Sequence, residues 1–112
     1  MGCNIGIFSV SAARSGCRVT AFDISETNVL CLRQTAFLNH LNIIAVHCPV
    51  TVRPMRWNGS STAHPENELE TDGKLTSLIY DQAALIYGMP DFIKMDIQGA
   101  ENEFMKSSEF KE

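Results

Sequence analysis

The 112-residue sequence predicts one α/β domain, with a mainly parallel sheet and helices on both faces of that sheet. Three observations predict this fold class. Short apolar runs rich in β-branched residues recur along the chain, segments with helical spacing of apolar residues separate them, and turn-forming residues mark the boundaries. The sequence contains no internal repeat, low-complexity tract or linker, so the predicted domain spans residues 1–112.

A glycine-containing loop and a short helix are predicted at the start of the chain. Residues 1–6 read Met-Gly-Cys-Asn-Ile-Gly, and both Gly and Asn tolerate the positive φ angles of tight turns. Residues 7–15 are mostly apolar and include two alanines, which favour a helix. We expect this helix to be largely buried and to end at Gly16.

A strand and a capped helix are predicted next. Residues 18–22 form a β-type run that Asp23 closes. Ser25 is a suitable N-terminal cap for a helix over roughly residues 26–40. The apolar residues at helical spacing on this segment are Val29, Leu32, Ala36, Phe37 and Leu41.

The middle of the chain predicts a strand followed by a long connection. Residues 43–52 are rich in β-branched side chains, and Pro49 requires an edge, a bulge or a strand end. Residues 53–74 lose periodicity and are rich in polar turn formers. Connections of this length are uncommon in compact domains unless they are functional or mobile.

The last third of the chain predicts three further elements. Residues 75–88 suggest a helical or mixed segment ending at Gly88. Residues 92–97 form a short apolar run, which predicts a buried strand. A helix is expected to begin at Ala100 and to continue to Ser107.

Composition excludes several classes of function. The formal charge of −4 argues against a nucleic-acid partner, since binding to that backbone depends on Lys and Arg. No stretch approaches the ~20 apolar residues of a membrane span. Neither cysteines nor histidines fall into a metal-ligand spacing, so no metal site is predicted. Four widely spaced cysteines fit reduced thiols and a cytoplasmic location: Cys3, Cys17, Cys31 and Cys48.

The loop at residues 2–6 is the first candidate binding element. It reads Gly-x-Asn-x-Gly and opens a predicted helix. Glycines at the carboxyl edge of an α/β sheet let the backbone approach a ligand, and N–H groups at a helix start favour anionic oxygens. A plain structural turn is an equally good interpretation of the same residues.

Asp23 is the second candidate, at the end of the next strand and 17 residues beyond Gly6. An acidic residue in this position can accept the hydroxyl hydrogens of a ribose. The alternative is a strand-end carboxylate that caps the following helix, and the two roles are compatible.

The segment from Asp91 to Glu101 is the third candidate. Lys94 and Asp96 lie two residues apart in a predicted strand, so both are expected on one face. Charges on a central strand are costly unless they are paired or near its end. A site at the strand end and a surface ion pair on an edge strand both remain open.

These motifs together resemble the FkbM-type methyltransferase family. The resemblance rests on Gly-x-Asn-x-Gly-x-Phe-Ser at residues 2–9, Ala-Phe-Asp at 21–23, the Asn-containing turn at 38–42, and Lys-Met-Asp-Ile-Gln-Gly-Ala-Glu at 94–101. It implies a Rossmann-like class I methyltransferase fold. It also implies transfer of the methyl group of S-adenosylmethionine, typically to a hydroxyl oxygen of a small molecule, sugar or lipid-linked acceptor.

The resemblance also implies roles for individual residues. The methyl donor would be lined by four residues of the loop: Gly2, Cys3, Asn4 and Gly6. Asp23 would hold the ribose of the donor. Asp96 would act as the catalytic general base or would orient the acceptor.

The sequence departs from the family pattern in three ways. Gln98 stands where Glu is usual, and Asp23 where Glu is more frequent. The family's central first strand would run into Gly2, and its later strands would follow residue 112, so we expect an incomplete sheet whose exposed edges favour self-association. A non-catalytic fragment with weak or no donor binding is the alternative function. Asn4 and the segment at 94–101 disfavour a nicotinamide dehydrogenase.

Overall fold

A computed structural model describes residues 2–3, 6–54, 56–57 and 75–95, with the backbone alone for residues 56, 57 and 75. The elements in chain order are α1 (Ile7–Arg14), β1 (Val19–Asp23), α2 (Glu26–Leu38), β2 (Ile43–His47), β3 (Val50–Thr51), β4 (Arg56–Trp57), β5 (Leu75–Thr76), β6 (Leu78–Ile79) and α3 (Tyr80–Tyr87). The described residues thus form a small α/β fold with short parallel ladders, which confirms the predicted class.

The β1–β2 pair is the longest ladder of the described residues. Its strands run parallel, with Val19 opposite Ile43 and Asp23 opposite His47. α2 packs against both strands and closes the first hydrophobic cluster. The buried members of that cluster are Ala21, Val29, Leu32 and Ala45, all at most 5% exposed.

Helix α2 follows the sequence prediction closely. Ser25 caps it, because the Ser25 Oγ accepts a hydrogen bond from the Asn28 N–H over 3.2 Å. The predicted apolar stripe is buried at Val29 and Leu32. Phe37, in contrast, is 80% exposed. Phe37 lies about 100° around the helix axis from the adjacent buried residue Ala36, so its side chain points away from the sheet.

Helix α1 has the predicted position but is not largely buried. Ile7 is 75% exposed and Phe8 48% exposed. Ser9 is buried, and Val10 packs partly against the first cluster. The helix therefore contacts the sheet through one narrow stripe, and the expectation that it is largely buried is wrong.

The single strand predicted at 43–52 is two strands. Pro49 separates β2 from β3, and it lies at a strand end as its missing N–H requires. Its carbonyl oxygen accepts the Leu78 N–H over 3.0 Å. The chain changes partner at this point, since β2 pairs with β1 whereas β3 pairs in parallel with β6.

A small antiparallel ladder joins the beginning of the long connection predicted at 53–74 to the residues that directly follow it. Arg56 pairs with Thr76, and Trp57 pairs with Leu75. The remainder of the connection, residues 58–74, lies outside the described residues. The mixed element predicted at 75–88 is confirmed, because two short strands precede α3 and Gly88, at φ 97°, ends it.

A second hydrophobic cluster lies on the other face of β1. Its buried members are Phe22, Val50 and Ala83, and the ring of Tyr87 packs edge-on against Phe22 at a centroid distance of 5.4 Å. Helices therefore cover both faces of β1, with α2 on one and α3 on the other. Among the described helices, none is long and apolar enough to cross a membrane.

The buried strand predicted at 92–97 is wrong for its described part. Residues 92–95 form no strand, and Phe92 is 75% exposed. The Phe92 ring stacks on Phe8 of α1 at a centroid distance of 6.2 Å. A strand needs a neighbour for its backbone groups, and these residues have none in the described ladders. Residues 96–97 and the helix predicted at 100–107 lie outside the described residues.

Candidate functional site at the carboxyl end of β1

The start of the chain meets the carboxyl end of β1. The Cys3 N–H donates to the Phe22 carbonyl oxygen over 3.1 Å, which fixes the loop against the strand. The Cys3 carbonyl oxygen then accepts the Gly6 N–H over 3.0 Å, which holds these two described residues of the loop together. Gly2 has a φ of 66°, in the left-handed region that favours glycine. The structure thus places the predicted glycine loop beside the predicted strand end.

Gly6 has a structural role that the sequence left open. Its φ is 96°, and a Cβ added there would collide with Leu32 Cδ1 and lie 3.1 Å from Leu32 Cγ. Its carbonyl oxygen accepts the Val10 N–H over 2.8 Å, which starts α1. Gly6 therefore permits the positive φ at the start of α1 and the close approach of the Leu32 side chain to that point.

Asp23 supports the turn that precedes α2, whereas Ser25 is the residue that caps the helix. The Asp23 Oδ1 accepts the Ser25 N–H over 2.8 Å, which shapes the turn into α2. A carboxylate offers about four acceptor directions, so this bond is compatible with further contacts to ribose hydroxyls. Asp23 is half-buried at the end of β1, beside the loop.

Cys3 lies in an environment that keeps its thiol protonated. Burial is the main cause that raises the Cys3 pKa from 9.0 to about 11, and the negative charge of Asp23 adds to it. The positive charge of Lys94 acts in the opposite direction. At neutral pH the side chain is therefore a neutral, half-buried thiol, which makes it a lining group rather than a nucleophile.

Lys94 is brought to the same place from the far end of the described chain. It is half-buried, and its charge acts on the Cys3 thiol together with that of Asp23. Charges of opposite sign therefore border the loop, one from β1 and one from the segment after α3. The expectation that Lys94 belongs to a strand is wrong.

His47 is a neighbour of the site that sequence reasoning did not identify. It ends β2 directly opposite Asp23, and its Nε2 lies 2.9 Å from the Ile24 carbonyl oxygen, to which it donates a hydrogen bond. The parallel register between β1 and β2 is the signal that would have found it, because that register aligns the last residues of both strands.

Two predicted site residues have no structural description. Asn4 of the loop and the proposed base Asp96 lie outside the described residues. In the described ranges, no three His, Cys, Asp or Glu side chains are grouped so that they could hold a metal ion. The described site therefore consists of Gly2, Cys3, Gly6 and Asp23, with Lys94 and His47 at its border.

Comparison with known proteins adds no relative. No family model matches the chain, and neither a curated protein nor a solved structure is significantly similar to it.

Proposed function

We propose that this chain carries the donor-binding part of an S-adenosylmethionine-dependent methyltransferase with a Rossmann-like class I fold. The acceptor would be a hydroxyl group on a small molecule, a sugar or a lipid-linked compound. The main supporting observation is the hydrogen bond from the Cys3 N–H to the Phe22 carbonyl oxygen, which holds Gly2 and Cys3 beside the carboxyl end of β1, where Asp23 lies. Ligands of open α/β sheets bind outside the carboxyl ends of the strands, beside glycine-containing turns.

The residues present fit the chemistry of this donor. Gly2 lacks a side chain, so the loop leaves room for a ligand to approach its backbone. The Asp23 carboxylate has the charge and acceptor geometry for ribose hydroxyls. Cys3 stays neutral, and the charges of Asp23 and Lys94 both act on its thiol.

Each group has a defined task in this proposal. The sulfonium of the donor supplies an electrophilic methyl group, so the protein contributes mainly proximity and alignment. Asp23 fixes the nucleoside end of the donor. Lys94 carries the positive charge suited to the donor's carboxylate. Asp96 would take the proton of the acceptor hydroxyl, as the resemblance to FkbM-type enzymes implies.

A non-catalytic domain is the second candidate, and one observation favours it. Gly6 and Asp23 are both needed by the fold itself, Gly6 against Leu32 and Asp23 for the turn into α2. Residues with complete structural roles need no ligand to explain them. In that case the chain would bind no donor.

Calorimetric titration with S-adenosylhomocysteine separates the two functions. The proposal expects saturable binding, weakened about 10- to 100-fold in Asp23→Asn, since a hydrogen bond to a charged group is worth about 1.5–3 kcal/mol. Asp23→Asn keeps an oxygen that accepts the Ser25 N–H, so the turn is preserved. Ser25→Ala is the matched control, which removes the helix cap and leaves affinity within about twofold. Absence of binding by the unmodified chain would favour the non-catalytic candidate.

A further inference from the structure

The carboxyl end of β2 lies beside the turn that leads from β1 into α2. Asp23 and His47 are opposite each other in the parallel register. Side chains alternate between the two faces of a strand, and opposite residues of neighbouring strands share a face. Two residues earlier, Ala21 and Ala45 are also opposite each other, and both are buried in the cluster that α2 closes. The side chains of Asp23 and His47 therefore lie on the face of the sheet that α2 covers.

Two hydrogen bonds connect this end of β2 to the turn. The Cys48 N–H donates to the Asp23 carbonyl oxygen over 3.0 Å. The His47 Nε2–H donates to the carbonyl oxygen of the next residue, Ile24, over 2.9 Å. The first bond continues the β1–β2 ladder through the backbone, so any residue except proline could make it at position 48. The second bond requires a side-chain donor at position 47.

The carbonyl group that His47 holds belongs to the same peptide unit as the N–H group that Asp23 holds. This unit joins Ile24 to Ser25, and it is planar and trans. His47 donates to its carbonyl oxygen, and the Asp23 Oδ1 accepts its N–H over 2.8 Å. Because the C=O and N–H of a trans unit point in opposite directions, the two side chains hold one peptide plane from opposite sides. The orientation of this plane links the imidazole of His47 to the carboxylate of Asp23.

The peptide unit between Ile24 and Ser25 is shielded from water, since each of these residues is 7% exposed. A buried carbonyl group that loses its donor is costly, and the cost falls if the peptide plane turns towards water. Such a rotation would carry the Ser25 N–H away from the Asp23 Oδ1. The carboxylate would then lose a bond that restrains the orientation of its side chain.

We propose that His47 is a positioning residue of the donor site, which orients the Asp23 carboxylate through the Ile24–Ser25 peptide plane. This role rests on the proposed function, in which Asp23 holds the ribose of the methyl donor. His47 acts on the donor only through Asp23. The fixed plane keeps Oδ1 on the Ser25 N–H and presents Oδ2 to the ribose hydroxyls. A carboxylate that is already oriented binds these hydroxyls without first losing side-chain freedom.

Calorimetric titration of the 112-residue chain with S-adenosylhomocysteine tests this role in two variants of His47. Gln can place an amide N–H where the imidazole has Nε2, so His47→Gln should bind within about twofold of the unmodified chain. His47→Leu has no donor and should bind about 3- to 10-fold more weakly, which is the factor that one hydrogen bond contributes. In the Asp23→Asn background, His47→Leu should cost at most about twofold, because the charged acceptor that His47 orients is absent.

Amide hydrogen exchange at Ser25 reports on the same peptide plane without ligand. His47→Leu should speed this exchange about threefold or more, while the Ala21 amide in the β1–β2 ladder stays protected and shows that the variant is folded. Arg33→Met is the matched control. It removes the bond from the Arg33 Nε–H to the Ala45 carbonyl oxygen, which is also a side-chain bond to the backbone of β2 but lies away from the turn. Arg33→Met should leave both Ser25 exchange and ligand affinity unchanged.

Four results would overturn the role of His47. These are unchanged affinity in His47→Leu, an equal loss in His47→Gln, unchanged Ser25 exchange in His47→Leu, and an equal effect of Arg33→Met. An undiminished loss in the Asp23→Asn background would also overturn it, since His47 would then act independently of the carboxylate. Absence of binding by the unmodified chain would overturn the proposed function and this role with it. The two failures are distinguishable, because the first is seen in the unmodified chain and the second only in its variants.

Discussion

The segment from Gly6 to His47 and the segment from Cys48 to Met95 are built differently. The first contains two five-residue parallel strands and a 13-residue helix with a side-chain cap. The second contains two-residue ladders and an eight-residue helix, α3, in which Ala83 is the buried residue while Leu85 is 85% exposed. Stability of the described structure should therefore be concentrated in the first segment, which also positions the candidate site.

The largest expected effect comes from the centre of the first segment. Leu32 is fully buried, so Leu32→Ala should lower the free energy of unfolding by about 2–5 kcal/mol. Leu85→Ala removes the same atoms from an exposed position of α3 and should change it by less than about 0.5 kcal/mol. Chemical denaturation of both variants measures the contrast. Equal losses would show that the two segments do not differ in this way.

Gly6→Ala tests whether the loop is held by packing as well as by its backbone angle. The added Cβ meets Leu32, and overpacking of this kind costs about 1–3 kcal/mol in addition to the strain of a positive φ. Gly16→Ala is the matched control, because its φ is 95° and nothing lies within 4 Å of its added Cβ. Both variants should be destabilised in urea, and Gly6→Ala by the larger amount. A larger loss in Gly16→Ala would contradict the proposed packing role.

Removal of the α2 cap should have a moderate effect. Ser25→Ala loses the acceptor for the Asn28 N–H and should cost about 0.5–2 kcal/mol of unfolding free energy. Thr35→Ala is a useful comparison, since its exposed hydroxyl donates only to the carbonyl oxygen of Cys31 within the same helix. Thermal unfolding of the two variants gives the difference. Equal losses of stability in Ser25→Ala and Thr35→Ala would contradict the capping role of Ser25.

The smallest expected effect is a pH dependence from Cys3. Its folded pKa of about 11 exceeds its ordinary value of 9.0, so the unfolded chain loses this proton first as the pH rises. The contribution to stability is complete below pH 9 and is lost towards pH 11. Cys3→Ser should therefore flatten the decline of unfolding free energy between these pH values, whereas Cys17→Ser, at an exposed position, should not. If unfolding free energy declines equally with pH in the unmodified chain, Cys3→Ser and Cys17→Ser, the proposed environment of Cys3 is wrong.

Helix α2 and the end of β1 could be predicted from the sequence because their signals are local, whereas the exposure of α1 in the same segment could not. Ser25 before a helical stripe predicts a capped helix, and Val29 and Leu32 are buried as their spacing requires. Asp23 lies at the end of β1, as its position after an apolar β-type run predicts. Each of these features depends on neighbours within about one helical turn, so no knowledge of distant partners was needed.

The second segment could not be predicted as well because its structure depends on distant partners. The sequence of residues 43–52 predicts one strand, but the residues before Pro49 pair with β1 and those after it pair with β6. Phe92 reads as part of a buried strand, yet it stacks on Phe8 in an exposed position. An apolar run indicates burial only when a partner surface is present, and periodicity carries no information about that partner. The approach of Lys94 to Cys3 is likewise a property of the fold.

The most direct test of the proposed donor site is a titration with S-adenosylhomocysteine followed by amide chemical shifts. The account predicts saturable shifts concentrated at Cys3, Gly6, Asp23 and Ser25, with residues 83–87 of α3 unchanged. Asp23→Asn should reduce these shifts at the same ligand concentration. Shifts confined to α3, or none at any attainable ligand concentration, would contradict a methyl-donor site at the carboxyl end of β1.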